Sequence, residues 1–287
     1  MKYLLIFGFV LYSGAVGRDV SVLPVVNNYH EAVGIPAAER IIKAEAEIQE
    51  KQIQQRIVGG FESQAHAGLV ISLVNIAGVS VCGSSLLSAD RLVTAAHCWF
   101  DGRHQAWQFT VVLGSQFLFT GGTRIATSDI FVHPQWTPEL IANDVAMIFL
   151  PQSVTQIQPI SLPEGNELFD SFIGLWATAV GYGVTSDQQQ SVSPSTVVSE
   201  VHVQVISVPL CQGTFGHFVR ESNICTSGHG GVGICGGDSG GPLFINRAGR
   251  RLLVGISSFV AGVGCELGHP SAFARVSSFH DFINTFL

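Results

Sequence analysis

Three short segments of the sequence carry the residue types that turn a serine hydroxyl into a nucleophile. His97 stands in TAAHC, Asp144 in NDVAMIFL and Ser239 in GDSGGP. A serine hydroxyl is a weak nucleophile at its own pKa, so an imidazole must accept its proton. A carboxylate then fixes the tautomer of the imidazole and stabilises the imidazolium that forms. These residues therefore predict acyl transfer, with Ser239 as nucleophile, His97 as general base and Asp144 as the orienting carboxylate.

Each of the three segments also has a purely structural explanation. A histidine after two alanines is often a structural residue, an aspartate often begins a turn, and a serine between glycines often lies in a loop. The order along the chain favours catalysis, because histidine, aspartate and serine in that order belong to one of the unrelated folds that use this triad. GDSGG also fits the G-x-S-x-G motif of α/β-hydrolase esterases, but in those enzymes the serine precedes the aspartate and the histidine.

The first 56 residues differ from the rest of the chain and predict two segments. Lys2, an apolar run over residues 3–12 and small residues up to Gly17 are typical of a secretory signal peptide, here residues 1–17. The apolar run is too short for a membrane span, which needs about 20 residues. Residues 18–56 are rich in helix formers and poor in large apolar side chains, which predicts a leader or linker without a core of its own.

From residue 57 onward, short runs rich in valine and isoleucine alternate with glycine, proline, asparagine and serine. This pattern predicts an all-β sandwich or barrel. A C-terminal helix is also expected, with its apolar face on the last strands. The apolar residues of that helix recur at i, i+3, i+4 and i+7, namely Phe279, Phe282, Ile283 and Phe286. The formal net charge is −7 and there is no basic stripe, so nucleic acid is not an expected partner.

The cysteine content agrees with secretion. The sequence contains six cysteines, which are Cys82, Cys98, Cys211, Cys225, Cys235 and Cys265. An even number in a secreted chain indicates disulfides, whereas a zinc site would favour close pairs such as C-x-x-C, which the sequence lacks. Six cysteines allow fifteen pairings, and composition does not choose among them.

Five motifs in order, RIVGG, TAAHC, NDVAMI, GDSGGP and FARV, make residues 57–287 similar to the chymotrypsin-family serine proteases. The segment SSFVAGVGCELGHPSAFARV most resembles insect chymotrypsins and the collagen-cleaving, brachyurin-like proteases. The resemblance implies two six-stranded antiparallel β-barrels, over residues 57–162 and 163–287, with the active site between them and a helix at the C terminus. It also implies the disulfides Cys82–Cys98, Cys211–Cys225 and Cys235–Cys265.

The same resemblance assigns the oxyanion hole to the backbone amides of Gly237 and Ser239. Two amides must point at the oxygen that becomes negative in the transition state, with no side chain in the way. The crowd of glycines around the serine is consistent with this requirement.

The resemblance also implies an activation step. Cleavage after Arg56 would free the α-amino group of Ile57, and this ammonium would pair with Asp238, since a buried carboxylate needs a partner. Residues 18–56 would then be the propeptide of an inactive zymogen, and the activating protease should be trypsin-like because it cuts after arginine. The bond after Arg40 is also Arg-Ile, but it lacks the Val-Gly-Gly that follows Ile57.

Four residues are expected to shape the specificity pocket. Gly233 stands six residues before the nucleophile, where trypsin-like members carry an aspartate, so a preference for Arg or Lys is not expected. Ser258 matches the residue whose backbone aligns the substrate. Val260 replaces a glycine of open chymotrypsin pockets, and Ser271 lies on the opposite wall. A small neutral base and a narrowed wall predict broad cleavage after modest apolar residues, chymotrypsin- to elastase-like.

Together these points predict a secreted, monomeric serine endopeptidase of digestion, acting outside the cell, for example in a gut lumen. Its expected partners are protein or peptide substrates, a trypsin-like activator and protein inhibitors of proteases, without nucleic acid or membrane. No cofactor or metal is expected, because the segment where trypsins bind calcium offers only Asp129 as a carboxylate. The alternative from another class is a non-catalytic homologue that acts as a binding or regulatory module. The natural substrate, including collagen, the pH optimum and the tissue are left open.

Overall fold

The structure is a computed structural model that describes most of the chain. The described residues are 22–54, 69–76, 78–115, 117–183 and 199–287. The predicted signal peptide over residues 1–17 and the predicted cleavage site at Arg56 and Ile57 lie outside them. Within the described ranges, no helix is both long enough and apolar enough to cross a membrane.

Two antiparallel β-sheets carry the fold. The first has seven strands in the order β5-β4-β1-β2-β3-β7-β6. These strands are β1 (Leu69–Asn75), β2 (Val79–Leu86), β3 (Arg91–Thr94), β4 (Gln108–Leu113), β5 (Thr123–Thr127), β6 (Ile130–Val132) and β7 (Ala146–Phe149). The valine- and isoleucine-rich runs of the sequence form these strands because β-branched side chains pack well on a pleated sheet.

The resemblance implies six strands closed into a barrel, whereas this sheet has seven and is open. The difference arises at Ser128 and Asp129, which separate β5 from β6. Around this break the Thr127 hydroxyl donates to the Phe149 carbonyl at 2.7 Å, and the Phe149 amide donates to the Asp129 carbonyl at 3.0 Å. Since β5 pairs with β4 and β6 pairs with β7, the two act as one bent strand, and the sheet curls into a barrel-like form.

The second sheet is a closed six-stranded barrel in the order β10-β13-β12-β11-β8-β9, which confirms the expectation for the C-terminal half. Its strands are β8 (Trp176–Gly181), β9 (Ser199–Ile206), β10 (Asn223–Thr226), β11 (Pro242–Arg247), β12 (Arg250–Phe259) and β13 (Ser271–Arg275). Between β11 and β12 the chain turns at Ala248 and Gly249, both with positive φ, which is the conformation that a two-residue hairpin favours.

Three disulfides join Cys82 to Cys98, Cys211 to Cys225, and Cys235 to Cys265. These are the pairs that the resemblance implies. The first ties β2 to the turn after β3, and the third ties the loop before Ser239 to the loop after β12. A bridge that closes a loop of this length typically stabilises a fold by about 3 kcal/mol.

The helices are short, except at the N-terminal end of the described chain. They are a π-helical turn (His30–Gly34), α1 (Ile35–Gln54), α2 (Val208–Phe215) and α3 (His280–Asn284), with 3-10 turns at Ala96–Cys98, Pro138–Leu140, Gly165–Phe169, Gly216–Phe218 and Val276–Phe279.

The C-terminal helix exists, and its apolar residues reach both sheets. Phe286 packs against Phe131 of β6 and Phe149 of β7, with ring centroids 4.9 and 5.5 Å apart, and Phe282 also stacks on Phe131. Phe279 and Ile283 belong to a buried cluster that also contains residues of β12 and β13, and the turn Val276–Phe279 contacts both strands. The expected docking on the last strands is therefore found for these two residues, whereas the periodicity did not show that Phe282 and Phe286 would reach the first sheet.

The N-terminal segment packs on the domain. Along α1, Ala37, Ala38, Ile41 and Ala44 are buried in a cluster with Val81 and residues of the first sheet. The sequence predicted a segment without a core of its own, and this narrow apolar face is indeed completed by the domain. The interpretation as a linker is incomplete, because the segment covers part of the folded surface.

Candidate active site

The pairing of β3 with β7 places His97 beside Asp144. Thr94, the last residue of β3, lies opposite Ala146, the first residue of β7. Residues just after β3 and just before β7 must therefore meet at one edge of the sheet. His97 follows β3 in a 3-10 turn, which the disulfide at Cys98 holds in place, and Asp144 precedes β7.

Asp144 holds His97 at two points. Its Oδ2 lies 2.8 Å from Nδ1 of His97, and its Oδ1 accepts a hydrogen bond from the His97 backbone amide at 2.9 Å. The Ser258 hydroxyl donates to the same Oδ2 at 2.5 Å. All three residues are buried. This is the arrangement by which a carboxylate sets the imidazole tautomer and leaves Nε2 free to accept a proton.

Ser239 lies where the two sheets meet. Its carbonyl accepts a hydrogen bond from the Gly83 amide of β2 at 2.6 Å, and the next amide, of Gly240, donates to the Ser257 carbonyl of β12 at 2.8 Å. Gly240 has a φ of +77°, and an added Cβ would approach the Gly83 carbonyl oxygen to 2.5 Å. Only glycine fits there, so the glycines after the serine are needed for the close approach of the two sheets.

The bond between His97 and Ser239 that catalysis requires is not formed. Nε2 of His97 is buried and has no hydrogen-bond partner among the residues that the structure describes. Tyr29, from the N-terminal segment, packs edge-on against the His97 ring, with centroids 4.7 Å apart. The Tyr29 hydroxyl donates to the Val81 carbonyl at 2.6 Å. Burial raises the pKa of Tyr29 above its usual range, and a hydrogen bond with the Ser239 side chain partly offsets that rise.

The candidate oxyanion loop is also in contact with the N-terminal segment. Gly237 has a φ of +106°, which favours glycine, and an added Cβ would lie 3.5 Å from Cβ of Ala37. At Gly236 an added Cβ would lie 3.0 Å from a methyl carbon of Val33. The side chains of α1 and of the turn before it therefore cover the loop that should receive the substrate carbonyl.

Asp238 points away from the cleft, into a cavity of about 220 Å³. Its carboxylate accepts hydrogen bonds from the amides of Gly183 at 2.7 Å and Cys235 at 2.9 Å. Burial raises its pKa to about 6, and those two hydrogen bonds only partly offset the effect. An added Cβ at Gly181 or Gly183 would overlap the carboxylate, so both glycines make room for it. A cation that entered this cavity would meet a carboxylate without a charged partner among the described residues.

The four predicted pocket residues do not surround one cavity. Ser258 and Val260 line the cleft beside Ser239, a cavity of about 420 Å³. Gly233 lines the Asp238 cavity instead. Ser271 is buried beside it, and an added Cβ at Gly233 would come within 2.7 Å of the Ser271 hydroxyl oxygen. Gly233 and Ser271 are thus neighbours, as opposite walls of one pocket would be.

Sequence reasoning missed Tyr29 and the residues that follow it. The signal was present, because Tyr29 is the only aromatic residue of Phe, Trp or Tyr type in residues 18–56. A single tyrosine in a polar segment suggests that the segment has no core of its own, whereas here this tyrosine packs against the His97 ring.

One group of potential metal ligands lies close together in the described part of the chain. It consists of Cys82, Cys98 and His97. The two cysteines form a disulfide, so they offer no thiolate, and this group does not suit a metal ion.

Comparison with known proteins assigns the fold to a family. A family model described as Trypsin matches residues 57–283. The chain is 36% identical over 236 residues to a collagenase of Hypoderma lineatum, covering 79% of this chain and 86% of that protein. It is 37% identical over 235 residues to brachyurin of Leptuca pugilator, covering 80% and 97%. A solved structure described as HL collagenase superimposes with a TM-score of 0.70 at 33% identity, covering 80% of this chain and 99% of that one.

Proposed function

This chain belongs to the trypsin family and is a serine endopeptidase that acts on protein substrates, and we propose that it is a secreted digestive zymogen whose active form cleaves after apolar residues. His97, Asp144 and Ser239 are its catalytic triad. The observation that carries the proposal is the buried network in which Asp144 accepts hydrogen bonds from His97 and Ser258, next to a serine clamped between two sheets.

The proposed reaction proceeds through an acyl-enzyme. The Ser239 hydroxyl oxygen attacks the substrate carbonyl while Nε2 of His97 takes its proton. His97 then gives this proton to the leaving amine, and a water molecule, activated in the same way, hydrolyses the ester. The amides of Gly237 and Ser239 would stabilise the oxyanion, and losing one such donor typically slows the reaction about 100- to 1000-fold.

The proposed activation follows from the cavity beside Asp238. A new α-amino group at Ile57 is an ammonium of the size and charge that the cavity and the Asp238 carboxylate would accept. Pairing would remove the penalty of a buried, unpartnered carboxylate. A trypsin-like protease that cuts after Arg56 is therefore the proposed activator.

The proposed specificity follows from the small neutral side of the site. Gly233 carries no charge, its neighbour Ser271 is a buried hydroxyl, and Val260 narrows the cleft. None of the described residues that line the cleft beside Ser239 carries a carboxylate. A substrate guanidinium or ammonium would therefore have no partner in this cleft, and leucine, alanine and similar apolar residues should be preferred before the scissile bond. One relative and one solved structure are named collagenase, which makes collagen a candidate substrate of this chain. A secreted, extracellular monomer, held in check by protein inhibitors, is part of the same proposal.

The proposal is tested on protein that has been activated by limited cleavage with trypsin. A serine-directed phosphonate should label Ser239, and the variant Ser239→Ala should stay unlabelled. A panel of peptides that differ only before the scissile bond should show kcat/KM at least about tenfold higher for Leu, Ala or Phe than for Arg or Lys. No adduct on the activated protein would favour the non-catalytic binding module, and a preference for Arg or Lys would contradict the apolar pocket.

A further inference from the structure

The N-terminal segment over residues 23–47, here called the cleft segment, is bound along the active-site cleft from one barrel to the other. At its first end the Leu23 amide donates to the Thr214 carbonyl at 3.1 Å, and the Pro24 carbonyl accepts from the Gly262 amide at 2.8 Å. Both partners belong to the second half of the chain, and Gly262 lines the cleft together with Ser258 and Val260.

The middle of the cleft segment lies on the catalytic residues. Tyr29 packs on His97 and bonds to Val81, as described above. Next to it, Nδ1 of His30 lies 2.9 Å from the Ser80 hydroxyl, and the His30 amide donates to the Asp101 carboxylate at 3.1 Å. His30 is fully buried. Nδ1 and the backbone amide of His30 thus find partners across the interface, whereas its buried Nε2 has no hydrogen-bond partner among the described residues.

Gly34 fits the segment to the wall of the cleft. An added Cβ at Gly34 would overlap the Ser80 hydroxyl and approach the Tyr29 ring to 2.9 Å. No positive φ is involved, so the requirement for glycine is one of space alone. A larger side chain at this position would push the segment away from β2 without changing any residue of the catalytic machinery.

The far end of the cleft segment is anchored by a buried carboxylate. Glu45 of α1 accepts hydrogen bonds from the Leu118 amide at 2.5 Å and from the Phe119 amide at 3.0 Å. Ile41 and Ala44, one turn apart on the same face of α1, pack in the apolar cluster with Val81. Hydrogen bonds to a charged acceptor are among the stronger ones. This end of the cleft segment therefore strengthens its binding to the domain and fixes its position along the cleft.

The Tyr29 phenol makes a hydrogen bond with the Ser239 side chain and packs on the His97 ring. A side chain of the cleft segment therefore contacts both the expected nucleophile and the expected base. All of these contacts are non-covalent and lie on the N-terminal side of Arg56. Cutting the chain after Arg56 would break none of them.

We propose that the cleft segment is a self-encoded inhibitor of the active site, which stays bound after cleavage at Arg56 and must dissociate before the protease can work. This inference rests on the proposed function. It adds a second control to the proposed zymogen, because an ordered Asp238 site would not be sufficient for activity while Tyr29 contacts both His97 and Ser239. Activity should then depend on protein concentration, as for any non-covalent complex.

The test uses the full proenzyme with Arg40, Lys43 and Lys51 replaced by glutamine, so that immobilised trypsin leaves the cleft segment intact. After cleavage at Arg56, verified by mass spectrometry, specific activity is measured at protein concentrations of about 10 µM and 10 nM. With a dissociation constant near 0.1 µM, the concentrated sample should show less than about a tenth of full specific activity, and dilution should restore most of it. The same protein with Gly34→Val should be fully active at both concentrations.

A synthetic peptide of residues 22–54, added to purified activated enzyme, gives a second measurement. Inhibition of peptide hydrolysis should weaken about 30-fold or more with Tyr29→Ala, because a tyrosine at the centre of an interface often carries most of the binding. Ile41→Ala should weaken it roughly tenfold, whereas its neighbour Ile42→Ala, whose side chain is exposed, should change it less than threefold.

The outcomes separate this inference from the proposed function. Activity that does not depend on dilution, or equal inhibition by the wild-type and Gly34→Val peptides, would overturn the inhibitor. If the activated protein cleaves no substrate at all, the proposed function fails. In that case, binding of a fluorescent peptide of residues 22–54 to the activated protein still tests whether the cleft segment docks. Tight binding that Gly34→Val abolishes would support the docked segment, and no binding at about 100 µM would refute it.

Discussion

At the scale of single residues, the site depends on side chains that orient other side chains by hydrogen bonds. Ser258 was expected to contribute its backbone to substrate alignment. The structure shows that its side chain also bonds to the carboxylate that orients His97. The motifs around His97, Asp144 and Ser239 could be recognised locally because each motif surrounds the residue that is proposed to act. The role of the Ser258 hydroxyl could not, since it depends on a contact with a residue 114 positions away.

Replacing Ser258 by alanine should lower kcat with little change in KM. The variant loses a hydrogen bond to a buried charged acceptor, an interaction worth about 1.5–3 kcal/mol, so a loss of roughly 10- to 100-fold in kcat is expected. The matched control is Ser257→Ala, because the buried Ser257 hydroxyl has no hydrogen-bond partner among the described residues. Steady-state kinetics of the activated enzyme checks both. A Ser258→Ala variant as active as the control would remove the hydroxyl from the positioning of Asp144.

Asp238 should make the stability of the proenzyme fall as the pH rises from about 4 to above 6. Burial raises its pKa from the ordinary value of 3.8 to about 6 in the folded, uncleaved chain. Because the pKa is higher in the folded than in the unfolded chain, Asp238 contributes fully to the free energy of unfolding below the unfolded-state pKa. This contribution, about 3 kcal/mol, is lost as the pH rises through the folded-state pKa. Urea unfolding of the proenzyme at pH 4 to 7 measures this slope.

The control for Asp238 is the nearly isosteric variant Asp238→Asn, which does not titrate. The unfolding free energy of this variant should lack this component of the pH dependence. The asparagine side chain keeps only one acceptor oxygen for the amides of Gly183 and Cys235. After activation the expected sign reverses, because an ammonium partner lowers the pKa of the carboxylate. Equal slopes for the wild type and for Asp238→Asn in the proenzyme would show that the carboxylate is not the source.

At the scale of elements, local sequence predicts what a segment is, and packing decides where it goes. The strands follow from the short β-branched runs. The break at Ser128 and Asp129 does not, because it depends on two hydrogen bonds to the neighbouring strand β7. The helix formers of residues 18–56 were interpreted as a leader or linker, and α1 was not predicted as a helix. The position of this segment over His97 depends on Tyr29, His30 and Glu45, which meet their partners only in the folded molecule.

The π-helical turn that carries His30 should undock as the pH falls. Burial lowers the pKa of His30 to about 4; Asp101 opposes this effect, while the neighbouring His97 and His104 add to it. A depressed pKa means that docking is complete above the free pKa of about 6.5 and is lost as the pH falls through 4, by up to about 300-fold in affinity. Binding of a fluorescent peptide of residues 22–54 to activated enzyme at pH 4 to 7.5 measures it.

The matched peptide carries His30→Gln, which cannot gain a proton at this position. The difference between the two peptides isolates His30, since burial also raises the pKa of Glu45 and works in the opposite direction. The wild-type peptide should lose affinity on acidification relative to the glutamine peptide. Parallel pH profiles for the two would rule out His30 as the group that titrates.

At the scale of the whole molecule, two terminal segments join the halves of the fold. The cleft segment spans the catalytic cleft at one end of the chain. At the other end, Phe282 of α3 and Phe286 just after it pack on Phe131 of β6, and Phe286 also packs on Phe149 of β7, while Ile283 of α3 lies in a buried cluster with residues of β12 and β13. The two halves therefore share contacts that neither barrel makes alone, which favours unfolding as one unit.

Phe286→Ala should destabilise the molecule by about 2–3 kcal/mol, at or below the lower end for removal of a buried aromatic ring because Phe286 is only partly buried. Its ring contacts Phe131, Phe149 and Phe282. The adjacent Leu287 is 51% exposed, so Leu287→Ala should change stability by less than about 0.5 kcal/mol. Urea denaturation of the two variants checks the difference, and equal stability would mean that α3 does not join the halves.

The sequence by itself predicted the chemistry, from the serine, histidine and aspartate in their order, the six cysteines, the β-rich texture and the arginine before Ile57. Each of these is a local pattern, because the proposed catalytic residues stand next to the glycines, strands and cysteines that support them. Only the tertiary structure decided that Tyr29 lies on His97, that Glu45 bonds to the loop at Leu118, and that α3 crosses to the first sheet. Such contacts join residues about 70 or more positions apart, and their energy depends on shape and burial that exist only after folding.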